Sequence, residues 1–220
     1  MTTSSNLVVV PDHLHKLARI LHGRFADLLL FAITSAALVV LFRTQSNFRL
    51  VDWLYVLQHF LVLLFALTRS EAPVADCSAD SNIAVAVAYL HPYAEAICLQ
   101  WWPGKVACPH AGLALTTVAA IFGVVCLLTI KERFGVRPAL RGLVTRGPYR
   151  LVRHPLYLSY LIAELGYNLQ LTNFGSVLLG LLGWACMVYR IIAEERVVSK
   201  DPKWAAYVAA VRYRLLPGLW

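Results

Sequence analysis

Residues 111–130 read AGLALTTVAAIFGVVCLLTI, twenty residues in a row without a single charge. An α-helix needs about 20 mostly apolar residues to cross the hydrocarbon core of a bilayer. The whole chain shares this bias, because 59% of its residues are hydrophobic and only 15% are charged. Soluble domains usually have about 45–50% apolar and about 25% charged residues. The composition therefore indicates a protein whose solvent is lipid.

Five further apolar stretches lie on either side of this one. The predicted spans are 25–42, 53–68, 83–102, 111–130, 156–171 and 174–192. The third is interrupted by His91-Pro92 and carries Glu95. Only Thr172 and Asn173 separate the last two, so we expect them to form a tight helical hairpin. The fold class is all-α: a multi-pass transmembrane helical protein with about six spans.

The loop 131–155 sets the predicted orientation in the membrane. It contains seven Lys or Arg residues and one acidic residue, and such loops stay in the cytoplasm. With four spans before it, both termini are cytoplasmic as well. If 83–102 is re-entrant, the N-terminus moves outside. The net charge of +8 is explained by this topology, so no nucleic-acid partner is expected.

Two segments outside the spans are predicted to lie on the membrane surface. Residues 12–24 have an amphipathic pattern, or else form a basic leader. Residues 193–216 carry Trp204, Tyr207, Val211 and Leu215 on one helical face, which predicts a surface helix over the cytoplasmic side. One continuous membrane domain results, with an N-terminal part, 1–130, and a cofactor-binding part, 131–220, that contains two spans.

The loop before the fifth span has an irregular backbone, because its glycines and prolines rule out one continuous helix. They are Gly135, Pro138, Gly142, Gly147, Pro148 and Pro155. Irregular backbone beside a membrane must be satisfied by water, protein or a ligand. Tyr149 and Tyr157 can stack on an aromatic base, and Arg153 and His154 supply hydrogen-bond donors. We favour a ligand site over a loop that only fixes topology.

Ionisable groups also lie in or at the ends of the spans. Arg190 and Glu194 are four residues apart, so they share a helix face and can pair. His91 with Glu95, and Glu164 with Asn168, share faces of the third and fifth spans. These groups line a cavity or pack between helices, and we favour packing. No metal site is expected.

The stretch GPYRLVRHPLY at 147–157, followed by RIIAEE at 190–195 and WAAY at 204–207, resembles the isoprenylcysteine carboxyl methyltransferase family and the related phospholipid methyltransferases. The resemblance covers about 130–217 and implies S-adenosylmethionine as the cofactor. It implies that Glu194 contacts the cofactor and that Arg190 orients the methyl acceptor, these two being the catalytic residues. The other implied cofactor-binding residues are Arg141, Gly142, Leu143, Val144, Tyr149, Arg153, His154, Pro155 and Leu156.

The predicted function is therefore S-adenosylmethionine-dependent methyl transfer to a lipophilic acceptor that enters from the bilayer, most like carboxyl O-methylation of isoprenylcysteine. Membrane lipids are the expected surroundings. A carboxylate acceptor needs only a positioned cation such as Arg190. An amine acceptor, as in phospholipid N-methylation, needs a base such as Glu194 or His154. An alternative is an NADPH-dependent sterol-type reductase, because the tail 204–218 also resembles those enzymes.

Overall fold

The computed structural model describes residues 49–220 apart from Glu71 and Cys77, together with six single positions between residues 32 and 43. Within these residues the protein is all-helical, as predicted, and two isolated bridges are the only β-structure. The helices are α1 Leu50–Thr68, α2 Ala79–Trp101, α3 Pro109–Ile130, α4 Pro155–Gln170, α5 Phe174–Val198 and α6 Trp204–Ala210. Two 3₁₀ turns, Lys131–Arg133 and Gly147–Arg150, lie between α3 and α4.

Four helices of the described part are long and apolar enough to cross a membrane. They are Leu50–Thr68, Ala79–Trp101, Pro109–Arg133 and Phe174–Val198. No more than 39% of the most apolar stretch of any of them is buried inside the protein, and side chains such as Leu67 and Leu181 point outward. In water this much exposed apolar surface would be costly. The fold is therefore that of an integral membrane protein.

Four of the six predicted spans coincide with these helices, and α2 runs without a break through His91 and Pro92. The first predicted span, 25–42, is described only at Ala32, Ile33, Ser35, Ala36 and Val39, which are helical, and the predicted surface segment 12–24 lies outside the described residues. Helix α4 matches the fifth span but has 16 residues, which makes it about 24 Å long. The total number of spans stays a prediction.

The prediction of a tight hairpin between the last two spans is wrong about their packing. A short turn does join α4 to α5, but α4 packs mainly on α3 and α5 packs mainly on α2. Glycines explain this choice: a Cβ on Gly112 of α3 would lie 2.5 Å from the carbonyl oxygen of Gly166 in α4. Small residues let two membrane helices approach closely, and close packing drives their association in lipid.

Loops meet at both ends of the helices. At one end, the link between α1 and α2 bonds to the segment after α3: the Leu140 N–H donates to the Val74 carbonyl at 2.8 Å, and the Asp76 N–H to the Pro138 carbonyl at 2.9 Å. At the other end, Lys105 and Thr172 exchange backbone hydrogen bonds of 2.7 and 3.0 Å. The loop 131–154 therefore lies at the end shared with residues 70–78.

The C-terminal segment differs from the predicted surface helix over 193–216. Residues up to Val198 complete α5, and α6 covers only seven residues. Tyr207, Val211 and Leu215 are buried, because the segment packs against the loop before α4.

Candidate active site

Two left-handed glycines shape the loop between α3 and α4. Gly142 has φ +85° and Gly147 has φ +57°, a region that residues with a Cβ rarely adopt. Arg133 ties the loop back on itself, because its Nη1 donates to the Leu143 carbonyl at 2.6 Å. The predicted irregular backbone is thus present, and protein groups hold it.

Two adjoining cavities lie between this loop, the start of α4 and the end of α5. Both are lined by Ile130, Arg133, Ala139, Arg141, Tyr149, Arg153, His154 and Glu194. We call them together the cleft. Most of the predicted site residues line it: Arg141, Gly142, Leu143, Val144, Tyr149, Arg153, His154, Leu156, Arg190 and Glu194. Pro155 does not line the cleft: it is the first residue of α4, and its side chain is fully buried. What each residue does there stays a prediction.

Arg190 lines the cleft and is only 5% exposed. Its guanidinium carbon lies 5.2 Å from the ring centroid of Tyr89 and 5.4 Å from that of Tyr157, within the range of a cation–π interaction. Its Nη2 donates to the Val136 carbonyl at 3.0 Å. The predicted ion pair with Glu194 is not formed: among the described residues, no contact within 4.0 Å joins the two charges. The Arg190 guanidinium instead lies against Tyr89 of α2 and Tyr157 of α4.

Glu194 is held by a tyrosine from α4. The Tyr157 hydroxyl donates to Glu194 Oε2 at 2.8 Å. The Tyr157 ring also packs edge-on against His154, with 5.5 Å between ring centroids. One tyrosine therefore contacts the motif histidine, the carboxylate and the arginine, and it fixes their relative positions.

Glu195 is the residue that sequence reasoning left without a role. Its Oε1 lies 3.2 Å from Arg153 Nη1 and 3.2 Å from His154 Nε2, and its Oε2 accepts from Arg214 Nε at 2.8 Å. We call these four residues the Glu195 cluster. The cluster joins α5, the motif loop and the C-terminal tail.

The C-terminal tail completes the wall of the cleft. The backbone N–H groups of Arg153 and His154 donate to the carbonyls of Tyr213 and Arg214 at 2.9 and 2.8 Å. The Tyr207 hydroxyl donates to the Tyr149 carbonyl at 2.8 Å. Burial raises the pKa of Tyr207 to about 12, so this phenol stays a neutral donor at physiological pH. Burial also lowers the pKa of Arg153, which Glu195 opposes.

Charge and aromatic rings together define what the cleft can bind. Its lining contains five arginines, two glutamates and several aromatic rings: Arg133, Arg137, Arg141, Arg153, Arg190, Glu194, Glu195, Tyr149, Tyr157, Tyr160, Trp204 and Tyr207. Buried Nε atoms of Arg153 and Arg190 have no hydrogen-bond partner among the described residues. Arginines with donors to spare bind carboxylates, and the rings suit a flat base or a cation.

Two kinds of residue at the site were not predicted from the sequence: arginines that line the cleft, and a tyrosine outside the lining that contacts Arg190. Arg133 and Arg137 had been counted only as topology-setting charge. Tyr89 comes from α2, far from the motif, and no local pattern connects it to Arg190. For Glu195 a signal was present, because it adjoins Glu194, but its partners are 19 to 42 positions away along the chain.

The described part of the chain is thus an all-helical membrane protein with an arginine-rich cleft at one end of its helices. The sequence model of the isoprenylcysteine carboxyl methyltransferase family matches residues 112–200. This stretch contains nearly all of α3, the whole of α4 and α5, and the loop that lines the cleft. The predicted resemblance to that family is confirmed over these residues.

A curated relative is named for the activity of this family. Protein-S-isoprenylcysteine O-methyltransferase A of Arabidopsis thaliana is 29% identical to this chain over 107 residues. The alignment covers 46% of this chain and 52% of the relative, so the chain spans about half the length of the relative it matches. No solved structure matches the chain.

Proposed function

We propose that this protein is a methyltransferase that uses S-adenosylmethionine to esterify the carboxylate of a lipophilic acceptor, most like a prenylated cysteine. The observation that carries the proposal is the convergence of the motif loop and the end of α5 in one cleft. His154 and Arg190 are 36 positions apart in the chain, yet both contact Tyr157. The family match to residues 112–200 supports methyl transfer as the chemistry of this cleft.

Arg190 is the proposed binding group for the acceptor. Its guanidinium is buried between two tyrosine rings, and its Nε has no hydrogen-bond partner among the described residues. A guanidinium presents parallel N–H groups that match a carboxylate. A carboxylate oxygen is already a nucleophile at neutral pH, so Arg190 needs only to hold it in position, and alignment alone can lower the barrier by several kcal/mol, on the order of 7–11.

The motif loop is the proposed binding surface for the cofactor. When bound, S-adenosylmethionine supplies a methyl group on a positively charged sulfur, which needs no further activation. We assign Arg141 to Val144, Tyr149 and Arg153 to Leu156 to this ligand, Pro155 acting as a support from beneath. Arg153 offers a donor to its carboxylate. Glu194 and the rings beside it stabilise positive charge.

The cleft is placed on the cytoplasmic side in this proposal, because the basic loop 131–155 lines it. The C-terminus bonds to that loop and therefore lies on the same side. The polar cofactor arrives from the cytoplasm, and the acceptor arrives from the bilayer, with its lipid chain remaining among apolar side chains.

A labelling experiment tests this function. Membranes that contain the full chain are incubated with methyl-tritiated S-adenosylmethionine and a farnesylated cysteine analogue, and the lipid extract is treated with base. We expect base-labile label, because a carboxyl ester releases methanol on hydrolysis. Label that resists base would indicate an amine or thioether product. Binding of NADPH without binding of S-adenosylmethionine would refute the proposal.

Arg190→Lys is the informative variant, and Arg150→Lys is its matched control. Lysine keeps the charge but loses the paired donors and the flat face, so we expect kcat/KM to fall by about 100-fold, equal to about 2.7 kcal/mol of barrier. Arg150 is exposed and does not line the cleft, so its replacement leaves the rate unchanged. Equal rates for the two variants would remove Arg190 from the acceptor site.

A further inference from the structure

A second polar cluster lies inside the membrane-spanning part of the protein, apart from the cleft. It consists of His91 and Glu95 on α2 and Glu164 on α4. One ring nitrogen and two carboxylate oxygens from these residues lie within 4.8 Å of one another. Glu95 is 1% exposed and His91 is 9% exposed, so neither carries its polar group to water.

The cluster lies deep along the helices. His91 is twelve residues after the start of α2, which corresponds to about 18 Å of helix, and Glu164 is nine residues after the start of α4, or about 14 Å. The cleft begins at the first turn of α4. The cluster is therefore near mid-membrane and is a separate site.

Hydrogen bonds orient two of the three groups. His91 Nδ1 lies 2.9 Å from the Ala88 carbonyl, which can only accept, so Nδ1 carries a proton, and Nε2 presents a lone pair when the imidazole is neutral. Nε2 faces Glu164 Oε2 at 3.9 Å. The other oxygen of Glu164 accepts from Asn168 Nδ2 at 2.9 Å. Metal-binding imidazoles and carboxylates are held in this way by a second set of hydrogen bonds.

The third group, Glu95, lies beside Glu164 and has no separate hydrogen-bond donor among the described residues. Glu95 Oε1 is fully enclosed and makes no hydrogen bond among the described residues. It points to the same place as Glu164, because a Cβ on Gly180 would lie 2.9 Å from Glu95 Oε1 and 2.8 Å from Glu164 Oε1. A Cβ on Gly183 would collide with the His91 ring. Glycines on α5 thus leave room for the cluster.

The imidazole of His91 and the carboxyl groups of Glu95 and Glu164 face one another in an apolar surrounding, where a nearby positive charge would stabilise them. An isolated carboxylate in an apolar medium is strongly disfavoured, and intramembrane acids pair with a cation. Within the part of the chain that the structure describes, no lysine or arginine forms an ion pair with Glu95 or Glu164. Even a protonated His91 imidazole would supply only one positive charge for the two carboxylates.

We propose that His91, Glu95 and Glu164 bind one divalent transition-metal ion of the zinc class. Imidazole nitrogen and carboxylate oxygen are ligands that zinc accepts, at about 2.0–2.2 Å, so the ligand atoms must lie within about 4.4 Å of one another. The three ligand atoms lie within 4.8 Å of one another, so small side-chain rotations would bring them to this separation. Because the ligands come from α2 and α4, the ion joins the two helix pairs α2–α5 and α3–α4.

Metal analysis of the purified full-length protein tests the proposal. The protein is purified in detergent without a histidine tag, exposed to zinc, passed over a desalting column and analysed by plasma mass spectrometry. We expect one zinc ion per chain, and loss of that ion in His91→Asn and in Glu95→Gln. The matched controls are His59→Asn, a histidine of α1 bonded to the Tyr55 carbonyl, and His110→Asn, an exposed histidine. Both keep the zinc.

Unaltered protein provides a second measurement that does not depend on the folding of variants. Cobalt added to the metal-free wild-type chain should give the visible absorption of a nitrogen–oxygen site, and zinc should displace it.

A third measurement uses Asn168→Ala. This variant should weaken zinc binding by about 10- to 100-fold, because it removes the hydrogen bond that orients the Glu164 carboxylate. A wild-type chain that binds neither metal would refute the proposal, and zinc that survives both ligand replacements would show that zinc binds at another place.

Discussion

Glu195→Gln is the substitution that most directly tests how the cleft is held together. Glu195 is buried, and its two carboxylate oxygens contact two arginines and one histidine. Glutamine keeps the shape of the side chain and one acceptor oxygen, but it removes the negative charge. The guanidinium groups of Arg153 and Arg214 then lie close together without the carboxylate that separates them.

The size of the effect follows from burial. Hydrogen bonds to charged groups contribute about 1.5–3 kcal/mol each, and removing one member of a buried ion pair costs about 3–5 kcal/mol. The Arg214 side chain is 35% exposed, so water screens its contact with Glu195 and reduces that share. A net loss of about 3 kcal/mol results. At about 2–4 °C per kcal/mol for a chain of this size, the midpoint of thermal unfolding falls by about 6–12 °C.

Thermal unfolding in detergent, followed by tryptophan fluorescence, measures this shift. Glu132→Gln is the control, because Glu132 is exposed and contributes only its backbone carbonyl to the hydrogen bonds described for it. We expect that control to unfold with the wild type. A shift for Glu195→Gln no larger than that of the control would refute the conclusion that the Glu195 cluster joins α5, the loop and the tail.

Three further outcomes follow from contacts in the structure. Gly112→Ala and Gly166→Ala should each lower the unfolding midpoint by several degrees, because the new Cβ lies within 2.8 Å of backbone on the facing helix, whereas Ala114→Val on the exposed face of α3 should not. If the Tyr157 hydroxyl acts by positioning Glu194, Tyr157→Phe should lower kcat about tenfold, which equals about 1.4 kcal/mol of activation barrier, with little change in KM. An unchanged kcat would exclude that role. The pKa of Tyr207 is about 12 in the folded protein and about 10 in an unfolded chain. The stability that its phenol contributes is therefore full below pH 10 and is lost as the pH rises toward 12. In a pH series of unfolding midpoints, Tyr207→Phe should lose less stability at alkaline pH than the wild type.

Much of the cleft could be predicted because its residues are close together in the chain. The motif at 147–157 supplies Tyr149, Arg153, His154 and Leu156 to the lining, and the sequence pointed to each. Pro155 shows the limit of such reasoning. It lies inside the same motif, yet it begins α4 and faces inward, since a proline at the first helical position is there to start the helix.

Adjacent glutamates illustrate a second limit. Glu194 and Glu195 differ by one position, which turns the side chain by about 100° around a helix. Glu194 therefore contacts Tyr157, and Glu195 contacts Arg153 and Arg214. Nothing in the sequence distinguishes the two until the neighbours of α5 are known.

The amino-acid sequence by itself determined that the chain is helical and belongs in a membrane, and where the irregular loop of the cleft lies. These properties depend on the length of apolar runs and on the spacing of residues within one segment, so they are local. Only the tertiary structure decided that α4 packs on α3 rather than on α5, that Tyr89 lies against Arg190, and that His91 and Glu95 meet Glu164. In lipid the hydrophobic effect does not distinguish between helix partners, so close contacts at small residues such as Gly112 and Gly183 determine which helices pack together. A sequence pattern shows where such a glycine lies, but it does not show which part of the chain packs against it.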